Sequence, residues 1–194
     1  MSQVRIGILI GSTRPGRNGD KVAKWVLDHA VERDDADFEL VDLADFSLPH
    51  LDEAVPASRG QYANEHTRAW ADKIDSFDGF VFVTPEYNHS TSGALKNAID
   101  FIYGEWNNKA AALVSYGVHG GLRAAEHLRL VLGELQIADV RQQVSFSLVT
   151  DFEDYTVFAP KGGQEAQLTT QLDQLVSWAG ALQGVREQKL AAAA

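Results

Sequence analysis

The stretch from Val4 to Gly19, VRIGILIGSTRPGRNG, constrains this chain more than any other. Val4 to Ile10 is a short apolar run rich in β-branched side chains, the pattern of a strand buried on both faces inside a parallel sheet. A polar loop of Gly, Ser, Thr, Arg and Pro follows at once. Helical periodicity then begins, with Val22, Ala23, Val26, Leu27, Ala30 and Val31 on one face. Strand, loop and helix in that order open a βαβ unit. The loop ends where a helix presents unpaired N–H groups and the positive end of its dipole, which stabilises a bound anion. Ser12, Thr13, Arg14 and Arg17 surround that point.

Two phosphate-loop patterns test this reading. No G-x-G-x-x-G run starts at Gly11. Gly11 and Gly16 have Walker spacing, but Arg17 and Asn18 stand where that loop needs Lys and Ser or Thr. What remains is a phosphate site with hydroxyl and arginine donors and no metal, which suits a monophosphate ester better than a triphosphate. A plain βα turn with solvated arginines satisfies the same composition.

The rest of the chain alternates. Phe38 to Val41 reads as a second strand, and Leu43 to Gln61 as a surface loop that either covers a site or simply connects. A helix capped at Asn64 or Thr67 runs to Ser76 with Trp70, Ala71 and Ile74 inward. Gly79 to Thr84 is another doubly buried strand. The polar loop Pro85 to Gly93, PEYNHSTSG, follows it, then a helix from Gly93 to Ile102. Phe101, Tyr103 and Trp106 cluster at its end and form either a surface for a second subunit or a patch buried within the monomer. Ala110 to Ser115 is a fourth strand, with Tyr116 to Gly121, YGVHGG, as its loop. A helix over Leu122 to Leu135 has Leu122, Ala125, Leu128, Leu132 and Leu135 inward. A weaker strand lies within Ala138 to Val149, an irregular segment runs through Lys161, and a last helix spans Gln164 to Leu182. Residues 1–185 form one domain, and 186–194 read as a disordered or appended tail.

Five strands alternating with helices make an α/β fold, a parallel sheet with helices on both faces and right-handed crossovers. In the order 2-1-3-4-5, strands one, three and four are neighbours, and ligands bind beyond their carboxyl ends. Loop one then holds a phosphate, while loops three and four hold something flat between Tyr87 and glycine backbone. Flavin mononucleotide fits that description, and so does a nucleoside monophosphate.

Composition narrows the partners. A formal net charge of −10 disfavours nucleic acid and anionic membranes, so a phosphate is held by local donors against the overall field. The chain has no Cys, which excludes thiolate catalysis, disulfides and Cys-ligated metal and agrees with a cytoplasmic location. No apolar run approaches the ~20 residues of a membrane span, and the N-terminus lacks a signal-peptide pattern. The histidines lack metal-ligand spacing.

GSTRPGRNG, PEYNHSTSGALKNAID and SYGVHGG resemble the three signature segments of the NADPH-dependent FMN reductase family, flavodoxin-like proteins that include quinone, azo-dye and chromate reductases. The resemblance covers about Val4 to Leu182. It implies a flavodoxin-like sandwich, FMN as cofactor, NADPH or NADH as donor, a small-molecule acceptor, and a homodimer or homotetramer. It assigns the phosphate to Ser12, Thr13, Arg14, Arg17, Asn18 and Gly19, and the flavin ring to Pro85, Glu86, Tyr87 and Asn88. The pyrimidine edge falls to Ser115, Tyr116 and Gly117. One departure is Ser92, where the family usually has Pro, which implies a less rigid loop. No catalytic side chain is required, since the chemistry belongs mostly to the flavin. Amides at the start of the helix after loop four are placed to stabilise charge on the reduced ring. His119 reads more simply as a solvated residue than as a proton donor. A flavodoxin-like electron carrier and a nucleotide-binding module without redox chemistry are the competing readings.

Overall fold

The computed structural model describes residues 3–193, with side chains to residue 188; Ala194, at the end of the expected tail, lies outside the described residues. Five strands, β1 (Val4–Ile10), β2 (Ala36–Asp42), β3 (Gly79–Pro85), β4 (Lys109–Gly117) and β5 (Ile137–Ser147), form a parallel sheet in the order β2-β1-β3-β4-β5. This is the flavodoxin-like architecture expected from the alternation. The central strands are apolar runs because both faces are covered: β3 and β4 are buried along their whole length. Successive side chains alternate between two cores. Ile6, Ile8 and Ile10 pack against α1 (Gly19–Ala30) and α6 (Gln164–Ala193). Leu9, Phe80 and Phe82 point the other way, toward α3 (Glu65–Asp75), α4 (Gly93–Asp100) and α5 (Leu122–Glu134). Each such fully buried side chain contributes about 1.5–3 kcal/mol.

One open choice is settled and two expectations change. Phe101 and Trp106 are wholly buried within the protomer, where Trp106 packs edge-on against Trp70 and Phe80. Of the two readings of this cluster, the patch buried within the protomer holds for Phe101 and Trp106, while Tyr103 is half-buried. Leu122 is exposed rather than inward, because it opens α5 at the mouth of the sheet. Helix α6 continues past Leu182 to Ala193, and Arg186 ties it to the sheet by pairing with Asp78 and donating to the Asn108 carbonyl at 2.7 Å.

The Leu43–Gln61 segment is mostly irregular but contains α2 (Leu43–Phe46) and a short 3-10 turn at Ala57–Arg59. It is pinned down. Asn97 of α4 accepts from the Leu51 amide at 3.0 Å and donates to the Pro49 carbonyl at 2.7 Å. Glu53 accepts from the amides of Ala63 and Asn64 at the start of α3, and these bonds hold its carboxyl below the usual range. After β5, a two-stranded hairpin of β6 (Phe152–Glu153) and β7 (Val157–Phe158) interrupts the run to α6. Buried Asp151 organises it, accepting from the Ser147 amide, the Thr150 hydroxyl and the Gln164 amide group at 2.8–3.1 Å.

Candidate active site

The loops after β1, β3 and β4 meet at the carboxyl edge of the sheet. Loop one leaves β1 at Gly11, whose amide donates to the Val83 carbonyl at 2.9 Å and so fastens the loop to β3. Ser12 is buried, and its hydroxyl shares a 2.9 Å hydrogen bond with that of Tyr87 in loop three. The Arg17 amide donates back to the Arg14 carbonyl at 3.1 Å, closing a turn through Gly16, whose φ of 69° suits glycine.

Helix α1 begins without a side-chain cap. Asn18, at the cap position, instead donates to the Tyr155 carbonyl in the β6–β7 hairpin at 2.8 Å. The first amides of α1 thus remain available to an anion. A Cβ on Gly19 would lie 2.8 Å from the Tyr116 hydroxyl, so only glycine fits there. That hydroxyl is buried against Gly19, whose amide is its nearest hydrogen-bonding group, and it makes no well-formed hydrogen bond among the described residues. Burial pushes the phenol well above its ordinary value, and the nearby Tyr87 and Asp20 add to the shift.

Loop three turns sharply at Tyr87–Ser90, which exchange backbone hydrogen bonds of 2.9 and 3.2 Å. Asn88 (φ 48°) and His89 (φ 73°) occupy the left-handed region at its tip, the geometry of a type I′ turn. Non-glycine residues held there carry local strain of the kind that gathers at ligand sites. Pro85 pairs with Tyr116 across β3 and β4, and the Glu86 amide donates to the Tyr116 carbonyl at 3.0 Å.

The expectation for Ser92 is corrected. It caps α4, accepting from the Leu95 amide at 3.0 Å, and its hydroxyl donates to the Gly11 carbonyl of loop one. Where a proline would stiffen the backbone, this serine ties two loops together.

Between the loops lies a cleft of about 250 Å³. Of the expected site residues, Arg14, Arg17, Asn18, Pro85, Glu86, Tyr87, Tyr116 and Gly117 line it. Others point elsewhere. Thr13 faces a neighbouring hollow of about 360 Å³ formed with α2 and α4. Asn88 stands exposed at the turn tip. Ser115 is wholly buried, donating to the Gly120 carbonyl at 2.7 Å and accepting from Gln143 at 3.2 Å, so its side chain supports the loop from behind. Gly121 is glycine because a Cβ would strike the chain's own Tyr116 and Ser115 at 2.8–2.9 Å, rather than to admit a ligand. Gly16 of loop one also lines it, and three residues from further along the chain escaped the sequence reading: Leu148, just after β5, and Tyr155 and Thr156 of the hairpin. Their only signal is distance along the chain from an irregular segment that shows no period.

A model of the family described as NADPH-dependent FMN reductase matches residues 4–151. The chain belongs to this family. It is 39% identical over 158 residues to the NAD(P)H-dependent FMN reductase ntnL of a Nectria species, covering 76% of this chain and 78% of that one. It is 35% identical over 137 residues to the quinone reductase of Pseudomonas putida, covering 66% and 70%. Its fold matches the flavoenzyme NAD(P)H:(acceptor) oxidoreductase FerB of Paracoccus denitrificans with a TM-score of 0.70 at 23% identity, over 92% and 98% of the two chains.

In this FMN reductase family member, two charged groups of the cleft are committed to partners. Arg17 pairs with Asp42 and donates to the Ser12 carbonyl at 2.6 Å. Glu86 pairs with the Arg123 guanidinium and accepts from the Arg123 amide at 3.2 Å. Burial raises the Glu86 carboxyl, but the hydrogen bonds and charge of Arg123 outweigh it and hold the group below its usual range. The α5 end expected to stabilise a reduced ring is thus already partnered by a carboxylate of the same cleft. Arg14 is exposed and its guanidinium has no partner among the described residues. His119 is likewise exposed.

Proposed function

We propose that the chain binds FMN in this cleft and passes hydride from NADPH or NADH through it to a small flat acceptor, a quinone in the first instance. The observation that carries this reading is the convergence of an uncapped helix N-terminus, the Arg14 guanidinium, which has no partner among the described residues, and the side chains of Tyr87 and Tyr116 on one cleft. An uncapped helix end beside a free arginine suits a phosphate monoester.

Bound FMN supplies a ring that accepts hydride from nicotinamide and yields the electrons to a second substrate. The protein's part is binding and orientation. Arg14 and the first amides of α1 hold the phosphate, with Ser12, Thr13, Asn18 and Gly19 shaping the loop around it. Pro85, Glu86 and Tyr87 would bed the ring, with Asn88 at the exposed turn tip beside it, and Tyr116 and Gly117 would close its far edge, with Ser115 behind them. Leu148 and Tyr155 line the mouth, and Val118 and Val149 are exposed nearby. This apolar rim favours a flat organic acceptor over an oxyanion such as chromate. The reading requires a compartment that supplies reduced nicotinamide, and a cytoplasmic location is part of the proposal.

Anaerobic stopped flow tests the reading. NADPH or NADH should bleach the FMN-loaded protein, and a benzoquinone should restore the colour. Steady-state plots should be parallel, because donor and acceptor need the same 3–3.5 Å approach to the ring and bind in turn. A loaded flavin that neither nicotinamide bleaches would refute the reductase reading and favour an electron carrier.

A further inference from the structure

We infer that Asp42 is a positioning residue for the phosphate group, acting through Arg17. Asp42 holds Arg17 as a brace of loop one, so that Arg14 and the α1 amides receive the phosphate and Arg17 does not. This rests on the FMN reading above.

Asp42 ends β2 and lies directly across from Ile10, the last residue of β1, where loop one begins. One carboxylate oxygen accepts from the Ala44 amide at 2.9 Å and caps α2, and the other pairs with Arg17. Arg17 divides its fork: one terminal nitrogen goes to Asp42, the other to the Ser12 carbonyl at 2.6 Å. Its own amide closes the turn onto Arg14. The side chain thus spans the chord of loop one from its far end back to its root. The two side chains are only 16% and 22% exposed, so water screens the pair weakly.

Turning Arg17 toward a phosphate would break two bonds and leave the Asp42 carboxylate partly buried and unpaired beside an incoming dianion. Both consequences are unfavourable. Arg14 has neither obligation. Its amide leans on the Ser12 hydroxyl at 3.3 Å, while its guanidinium, at the cleft, has no partner among the described residues. The brace therefore sets the curvature of the loop, and the unpaired arginine supplies the charge.

Substitution of Asp42 by Asn separates the two roles by sign. Asparagine caps a helix about as well as aspartate, so α2 is retained, while the charge that holds Arg17 is lost. If Arg17 is a brace, the FMN dissociation constant of D42N rises about tenfold, R17A rises comparably, and the double variant is no weaker than R17A alone. R14A alone should rise roughly ten- to a hundredfold, the loss of a charge-assisted bond to phosphate. Titration with riboflavin, which lacks the phosphate, is the control: D42N and R17A should bind it as the wild type does. Tighter or unchanged FMN binding in D42N would overturn the inference, since removing a competitor for Arg17 strengthens binding only if Arg17 itself meets the phosphate. Equal weakening toward riboflavin and FMN would overturn it too, as general damage to the fold. Wild-type protein that binds no FMN at all would instead overturn the reading on which the inference rests.

Discussion

Replacing Ser92 by Ala tests how the site is assembled. The hydroxyl makes two bonds that no other group can make: it accepts from the Leu95 amide at the start of α4 and donates to the Gly11 carbonyl. Loss of the cap costs about 1 kcal/mol. The Gly11 carbonyl then lies buried beside Ser92, itself 2% exposed, without its donor, at a further cost of about 1–3 kcal/mol. The sum, roughly 2–4 kcal/mol, corresponds to a fall in Tm of about 4–15 °C for a domain of this size. Thermal unfolding of the apoprotein measures it, with S92T as the rescue because it restores the hydroxyl. Because the lost bond joins loop one to the start of α4, the affinity for FMN should fall with it. A Tm within 1 °C of wild type would refute the reasoning, showing that the Gly11 carbonyl finds another donor and that the loops are held by backbone pairing alone.

Two smaller perturbations probe the periphery. Lys21 reaches the Thr156 carbonyl at 2.7 Å and, with Asn18, fastens the β6–β7 hairpin beside the cleft. K21M removes an exposed contact worth about 0.5–1 kcal/mol, so FMN should dissociate about two- to fivefold faster while Tm stays nearly constant. At the opposite end of the sheet, burial pushes the Lys109 ammonium down to about 8, against 10.5 when unfolded. Between those values the unfolded chain carries the extra proton, so wild-type stability rises with pH relative to K109M, by up to about 3 kcal/mol. Urea unfolding of both proteins from pH 7 to 9.5 checks it, and a flat difference would show that the carbonyls of Ile74 and Asp75, at 2.8 and 3.2 Å, keep the group charged.

The parts of the fold that the sequence reveals are those where one physical pattern dominates. β1, β3 and β4 are legible because burial on both faces demands unbroken apolar runs, and α1 because one face alone is apolar. α2 and the β6–β7 hairpin are not legible, since four helical residues and two-residue strands are set by single bonds from Asp42 and Asp151 rather than by a period. Phe101 and Trp106 illustrate a second limit. Their clustering is plain in the sequence, but whether another subunit or α3 covers them depends on packing between elements distant in the chain. At the site, composition identified the three loops and not the direction of each side chain. Arg17 and Asn18 carry the right chemistry for phosphate, yet Asp42 and the Tyr155 carbonyl, 25 and 137 residues away, claim them.

Glu86 brings these threads to one electrostatic consequence. It is a carboxylate lining a cleft expected to hold a ring that gains negative charge on reduction, and such a charge opposes that gain. Arg123 offsets it by pairing with the carboxylate, and the depressed carboxyl value means that Glu86 is ionised at neutral pH. Folding stability from this group is therefore present above its unfolded value near 4.5 and lost as pH falls through the lower folded value. E86Q removes the negative charge and leaves Arg123 unpaired, and both changes favour the reduced ring. The two-electron midpoint potential of bound FMN should rise by about 15–45 mV, equivalent to roughly 0.7–2 kcal/mol. E86Q should also lose less stability than wild type on acidification toward pH 4. Potentiometric titration against a reference dye reads the first effect and urea unfolding the second. A potential that stays the same or falls would mean that the pair is electrically neutral at the ring, and that Glu86 serves the cleft only by fixing the start of α5.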